Sequence, residues 1–460
     1  MSKYFKCTTN KNPLEYTCGE KIIFTVSARD NRIDAACRYV KWTLDGDDGQ
    51  KSSGFGACWG GHPLIIETTL NKAGFVRLTC TAYNNDYAPD SSFKPLFASA
   101  GADVDTLSYL DTVPDDFDTY WQDVKDLVDN FEPEVLESVE ITNGVSEGIK
   151  CYDVKISTPS GRPASGYISI PTAEGKYPIN LTLLGYTVVG AWTVHDHHSI
   201  SACFNAHGIE NGSCRTETEL KYKDELENYG FSEQENASNM TTYWRGMMIR
   251  DLITLKYLKS LPQWDKENLA VTGGSQGAFQ STVMASVDDS VSFLDIKVPW
   301  FCNLRAEENG FVNGWRPTFA EGLRYFDTVA HAMRVKCPVK VRIGLGDYIC
   351  PPSTTLTLYN AFKCEKWAEI VQALEHQLQL PPEEEHFYKY SSAVPMGKYR
   401  HFKGNEYEVL GKALDSESGQ SVVIYKALYG EQKIWVRPEH MFTEYVFKDG
   451  KYVKRFEYIG

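Results

Sequence analysis

The chain has 460 residues, 42% of them hydrophobic, and carries a net charge of −14 at pH 7. That length is more than one ordinary domain uses, and the apolar fraction is ample for packed cores. The acidic balance disfavours a nucleic-acid partner, because phosphate binding needs a basic face, and no run of about 20 apolar residues exists to cross a membrane.

Residues 1–100 are strand-rich. Lys21–Val26, Val40–Leu44 and Phe75–Cys80 have the composition of short strands, and Asp45-Gly46-Asp47-Asp48-Gly49 supplies turn chemistry. This spacing predicts an antiparallel β-sandwich, immunoglobulin-like in outline. Ala98-Ser99-Ala100-Gly101-Ala102 consists of small residues without a period and is expected to be a linker. Pro114-Asp115-Asp116 is expected to begin a helix, its proline and acids suited to the first turn. Phe117, Tyr120, Trp121, Val124, Leu127 and Val128 recur at helical spacing behind it.

From there strands and helices alternate. Tyr152–Ile156, Gly166–Ile170 and Pro178–Leu184 are expected strands, and Tyr243–Leu258 is a helix with an apolar stripe. Ala270–Thr272 and Val298–Phe301 are expected to bracket another helix. This is an α/β pattern with a mostly parallel sheet over residues 101–393. Residues 396–460 return to strands: Tyr399–Val409, Val422–Tyr429 and Ile434–Pro438 predict a small SH3-like β-barrel. Its Tyr425, Tyr429 and Trp435 could stack on a sugar ring or a peptide, or fill a small core.

One pentapeptide carries the chemistry. Gly273-Gly274-Ser275-Gln276-Gly277 follows the apolar run Leu269–Thr272 and opens a helix. Strand, sharp turn, helix, with serine at the apex, is a nucleophile elbow. The glycines let the backbone turn without side-chain clashes. A serine needs a base, and the base an orienting carboxylate, in the chain order serine, acid, histidine. Asp347 ends the strand-like Val341–Gly346, where an open α/β sheet gathers its site. His376 ends the largely apolar Ile370–Glu375. His386 is its competitor, in an acidic stretch (Glu383-Glu384-Glu385) that resembles solvated loop.

These strings, from Gly273 to Pro382, resemble the acetyl xylan esterase and cephalosporin C deacetylase family, carbohydrate esterase family seven. The carriers are Ser275-Gln276-Gly277, Asp347 with Cys350-Pro351-Pro352-Ser353-Thr354, Arg245-Gly246, and Val371-Gln372 with His376 and Pro381-Pro382. Met247, Ala278 and Gln377 stand where the family usually has glutamine, glycine and glycine. The resemblance implies an α/β-hydrolase core with a Ser275, Asp347, His376 triad. The backbone N–H groups of Gln276 and Tyr186 would form the oxyanion hole.

The implied function is a serine esterase removing acetyl groups from acetylated xylo-oligosaccharides or related short sugars. Another acyl group on the same fold (an esterase, thioesterase or peptidase) is the alternative, or a degenerate glycan-binding protein. Trp300 and Phe301 are expected to wall a small acyl pocket. The hydrolysis needs no cofactor and no metal. His195-Asp196-His197-His198 is expected to be a surface loop or cleft rim rather than a metal site. The 12 cysteines contain no Cys-x-x-Cys pair, and Cys350 is expected to be structural. The start, Met1–Cys7, lacks the apolar core of a signal peptide, so the expected location is the cytoplasm, with free thiols. A homo-oligomer is compatible with the resemblance.

Overall fold

In the computed structural model, residues 5–28, 39–58, 61–84, 86–376 and 385–460 are described. The N-terminal region forms two antiparallel sheets. One pairs β1 (Phe5–Thr9), β2 (Ile22–Ala28) and β5 (Leu64–Thr68). The other has β4 (Lys51–Ala57), β3 (Tyr39–Gly46), β6 (Gly74–Tyr83) and β7 (Leu96–Ala102) in that order. Alternate residues such as Phe5, Cys7, Ile22, Phe24, Val26, Val76, Leu78 and Cys80 fill the core between them. The expected linker at 98–102 is instead β7, paired with β6 from Gly74↔Ala102 to Cys80↔Leu96. Ala98, Ala100 and Ala102 are fully buried. Small residues occur there because the strand is closely packed, which composition alone does not distinguish from a flexible tether.

The central sheet has ten strands in the order β17-β16-β15-β14-β13-β11-β12-β10-β9-β8. They are β8 (Val135–Ile141), β9 (Ile149–Ile156), β10 (Ala164–Pro171), β11 (Tyr177–Leu183), β12 (Ile200–Asn205), β13 (Trp264–Gly274), β14 (Phe293–Lys297), β15 (Val339–Gly344), β16 (Lys366–Val371) and β17 (His386–Tyr390). From β12 to β16 neighbours run parallel; β8, β9, β10 and β17 are antiparallel flanks. The strand after the elbow helix is β14, and the expected strand at 298–301 is the turn beyond it, with positive φ at Val298, Phe301 and Asn303. Aromatic and β-branched composition simulated a strand there.

The sheet's two faces are covered differently, and the strands already encode this. β11 reads Tyr-Pro-Ile-Asn-Leu-Thr-Leu and β15 Val-Lys-Val-Arg-Ile-Gly, alternating rather than continuously apolar. Ile179, Leu181, Leu183, Val271, Leu294, Ile296, Val339, Val341 and Ile343 face one core. Helices Phe117–Asp129, Tyr243–Ser260, Gln276–Val287 and Pro352–Ala361 pack on that side. The more polar face meets the C-terminal region. Tyr452 stacks on Phe293 at 4.1 Å and donates its hydroxyl to Asp295 Oδ2 at 2.7 Å. Asn180 Nδ2 donates to the Gly450 carbonyl and Trp367 Nε1 to that of His440.

That C-terminal region is a five-stranded antiparallel sheet, ordered β21 (Ile434–Pro438), β20 (Ser421–Ala427), β19 (Glu406–Leu414), β18 (Gly397–His401), β24 (Phe456–Tyr458). A hairpin of β22 (Tyr445–Lys448) and β23 (Lys451–Lys454) and a short helix complete it. The predicted single strand 399–409 is two strands, β18 and β19, joined through Phe402–Asn405. Tyr425 belongs to the small core, while Tyr429 and Trp435 are exposed. No helix among the described residues is long and apolar enough to cross a membrane.

Candidate active site

Ser275 stands between β13 and the helix Gln276–Val287, with φ 56° and ψ −120°. A non-glycine residue there stores about 1–3 kcal/mol of strain, held by surrounding packing. The packing is backbone on backbone. A Cβ on Gly273 would lie 2.3 Å from Gly277 C, and one on Gly277 2.3 Å from the Leu183 carbonyl oxygen. Both glycines are thus required by close approach, and the elbow helix sits directly against the end of β11. The Ser275 amide donates to Lys297 O at 2.9 Å, which fixes the turn to β14.

The helix's first amide, that of Gln276, has no acceptor within the helix. The β11 end runs alongside it: a Cβ on Gly185 would lie 3.9 Å from Ser275 Cβ. Tyr186 is the next residue. Its ring stacks on Tyr229 at 4.2 Å, and its hydroxyl donates to Tyr229 O at 3.1 Å. Tyr229 Oη in turn donates to Gln276 Oε1 at 2.7 Å and accepts from Thr187 N at 3.2 Å. Both predicted oxyanion residues are therefore tied to one buried tyrosine.

A buried histidine completes this support. His207 Nε2–H donates to Thr187 O at 2.9 Å, and its Nδ1 accepts from Tyr243 Oη at 2.7 Å. Burial pushes its pKa down to about 3, so it is neutral at ordinary pH. Tyr229 and His207 were not legible as site residues. They lie outside any motif string, and they act by touching the loop after β11 and, for Tyr229, also Gln276 of the elbow helix.

Asp347 follows β15 and is buried. Its Oδ1 accepts from Ile349 N and Cys350 N, each at 2.8 Å, and its Oδ2 accepts from His376 Nδ1–H at 2.9 Å. His376 follows β16 and is partly exposed, its side chain 23% accessible. With Nδ1 turned to the acid, Nε2 is the nitrogen left for substrate chemistry. Asp347, Cys350 and His376 offer donor atoms within 4.8 Å of one another. Both Asp347 oxygens are already engaged, however, and burial beside Asp347 raises the Cys350 thiol far above its usual pKa. That is an oriented acid–base pair with a packed neutral thiol beside it.

His386 is not in a solvated loop. It lies on β17 opposite Val371, and its Nδ1 meets Glu369 Oε1 at 2.9 Å. Gln377 and Pro381-Pro382 lie outside the described residues. Met247 and Ala278 are fully buried, so these two departures from the family strings are core packing. In the His195–His198 run, Asp196 accepts from the His198 amide and the Ser199 hydroxyl.

Trp300 and Phe301 are both buried. The Trp300 amide donates to Ser275 O at 3.3 Å, and its ring meets Tyr186 edge-on at 6.0 Å. Phe301 packs against Trp300 at 4.8 Å, Phe279 at 4.9 Å and Trp244 at 5.2 Å. Trp300 and Phe301 both border a small cleft beside Ile349 and Cys350 of the acid loop. An aromatic that the sequence did not single out, Trp315, borders the same cleft and is 42% exposed.

The strand order, the elbow at the end of β13 and the acid and histidine after β15 and β16 define an α/β-hydrolase. Comparison with known proteins narrows the class. Residues 102–308 and 317–394 match the family model for acetyl xylan esterase (AXE1). The chain belongs to that family and is a carboxylic ester hydrolase. The acetyl esterase Axe7A of Xylanibacter ruminicola is 26% identical over 353 residues, covering 71% of this chain and 76% of its own. The acetyl xylan esterase of Paenibacillus sp. R4 shares the fold with a TM-score of 0.50 at 19% identity, over 60% of this chain and 93% of its own. Residues 397–458 match a family model of unknown function, DUF1653. A DUF1653 protein from Bordetella bronchiseptica is 33% identical over 15% of this chain and 88% of its own, with a TM-score of 0.14.

Proposed function

We propose that the chain removes O-acetyl groups from acetylated xylo-oligosaccharides or related short sugars, through Ser275, His376 and Asp347. The observation that carries this reading is the 2.9 Å contact of His376 Nδ1 with a buried, doubly anchored Asp347, on loops at the same sheet edge as the strained Ser275. Ser275 Oγ attacks the acetyl carbonyl while His376 Nε2 takes its proton. The Gln276 and Tyr186 amides receive the oxyanion. His376 then protonates the departing sugar hydroxyl, leaving acetyl on Ser275. Water attacks that ester, its proton passing to His376, and acetate leaves as Ser275 recovers its proton. Asp347 stabilises the imidazolium throughout without itself being protonated.

The test is acetate release from acetylated xylotriose and from an aryl acetate, by the wild type and by Ser275→Ala. The expected loss in the variant is at least about 10³-fold. Release that survives the substitution would assign the chemistry to another nucleophile.

A further inference from the structure

The matched family regions leave out residues 309–316, and this segment is one of the links between the β-sandwich and the hydrolase site, beside the contacts of Phe97 with Tyr348 and of Ser99 with Gln372. Its Val312 amide donates to Asp47 Oδ1 at 2.8 Å, the turn carboxylate that also accepts from Phe75 N. The Asn309 carbonyl accepts from Lys72 Nζ and that of Asn313 from Arg77. At its other end the segment is locked to the acid loop. The Trp315 amide donates to Ile349 O at 3.1 Å, two residues beyond Asp347. A Cβ on Gly314 would sit 2.4 Å from that same carbonyl oxygen, so no larger residue allows the approach.

The segment delivers one large ring. Trp315 lies edge-on to Tyr186 at 4.6 Å, stacks on Trp300 at 5.5 Å and tilts against Phe231 at 4.9 Å. Its carbonyl accepts from Trp300 Nε1 at 2.5 Å. The backbone is thus held from the nucleophile side and the acid side, while Trp315, its indole supported on three rings, stays 42% exposed. A rigid, half-exposed indole loses little conformational entropy when a flat apolar surface covers it. The C–H face of a pyranose ring is such a surface, whereas a small alkyl ester would leave it bare.

Resting on the proposed esterase reading, we propose that Trp315 is a specificity-determining platform that stacks on the sugar ring bearing the acetyl group. The β-sandwich is the device that holds it there, through Asp47 and the segment 309–316. The experiment compares kcat/KM for acetylated xylotriose and for ethyl acetate in the wild type, Trp315→Phe and Trp315→Ala. Trp315→Leu, which keeps apolar bulk without a ring, replaces the alanine variant if that melts early. Removing the ring is expected to cost about tenfold or more on the sugar ester, the scale of one lost apolar pocket contact, and under about threefold on ethyl acetate. Phenylalanine should recover most of the loss. An equal fall on both substrates, or no change on either, overturns the platform. A wild type whose Ser275-dependent activity is confined to ethyl acetate defeats the sugar reading itself, and is told apart because it needs no Trp315 variant.

Discussion

Gly277→Ala tests how the elbow is built. The added methyl group would start 2.3 Å from Leu183 O, 2.9 Å from Leu183 C and 3.1 Å from Leu184 O. These are backbone atoms, so no side chain can rotate away. One of the two backbones must retreat by about 1 Å to restore ordinary contact. Either the elbow helix rises, carrying the Gln276 amide, or the end of β11 shifts, carrying Tyr186. Both movements open the proposed oxyanion hole. Overpacking of this kind costs about 1–3 kcal/mol of stability, and a displaced oxyanion donor about 10²–10³-fold in kcat. The assay is kcat on an aryl acetate beside a urea denaturation curve. A folded variant with kcat within about threefold of wild type would refute both the tight elbow and the two-amide hole.

Other expectations follow from buried groups. His207 and His331 are held neutral by burial, their pKa values lowered to about 3. Unfolded, they take up protons near 6.5, so the stability present above that pH falls as pH drops from 6.5 towards 3. At pH 5 the loss is about 2 kcal/mol for each, and His331→Gln should flatten the acid side of a melting-temperature profile. Tyr452→Phe strips the hydroxyl from buried Asp295 and is expected to cost about 1–3 kcal/mol in denaturation, with esterase activity unchanged at saturating substrate. Gln372→Leu leaves the buried Ser99 N–H and C=O without their side-chain partner. It should lower the stability read from denaturation by a similar amount (about 1–3 kcal/mol) and also kcat, because Gln372 opens the turn leading to His376. Unchanged kcat there would separate the β-sandwich from the catalytic loop.

Much of the site was legible locally. Leu269–Gly277 encodes strand, turn and helix within one short window, since apolar run, glycines and serine act on their own neighbours. The same holds for Asp347 after its strand and for the order serine, acid, histidine. The spacing pointed to His376, which meets Asp347 at 2.9 Å, while His386, expected in a solvated loop, lies on β17 and meets Glu369 of β16.

What the sequence alone determined is therefore the character of each short segment: the sharp turn at Ser275 and the strands and helices with clear periods. Tertiary structure decided how segments far apart in the chain complete one another. It made Leu96–Ala102 a strand, because β6 and Gln372 were there to receive its backbone groups. It set Tyr229, His207 and Trp315 around the site, where each acts through a hydrogen bond or ring contact across many residues. It covered the polar face of the sheet with the C-terminal hairpin, which explains the alternation in β11 and β15 only once Asn180, Asp295 and Tyr452 are brought together. The physical reason is range. Backbone geometry and side-chain period depend on residues a few positions apart, whereas close approach, burial and hydrogen-bond partnership depend on which distant segment arrives.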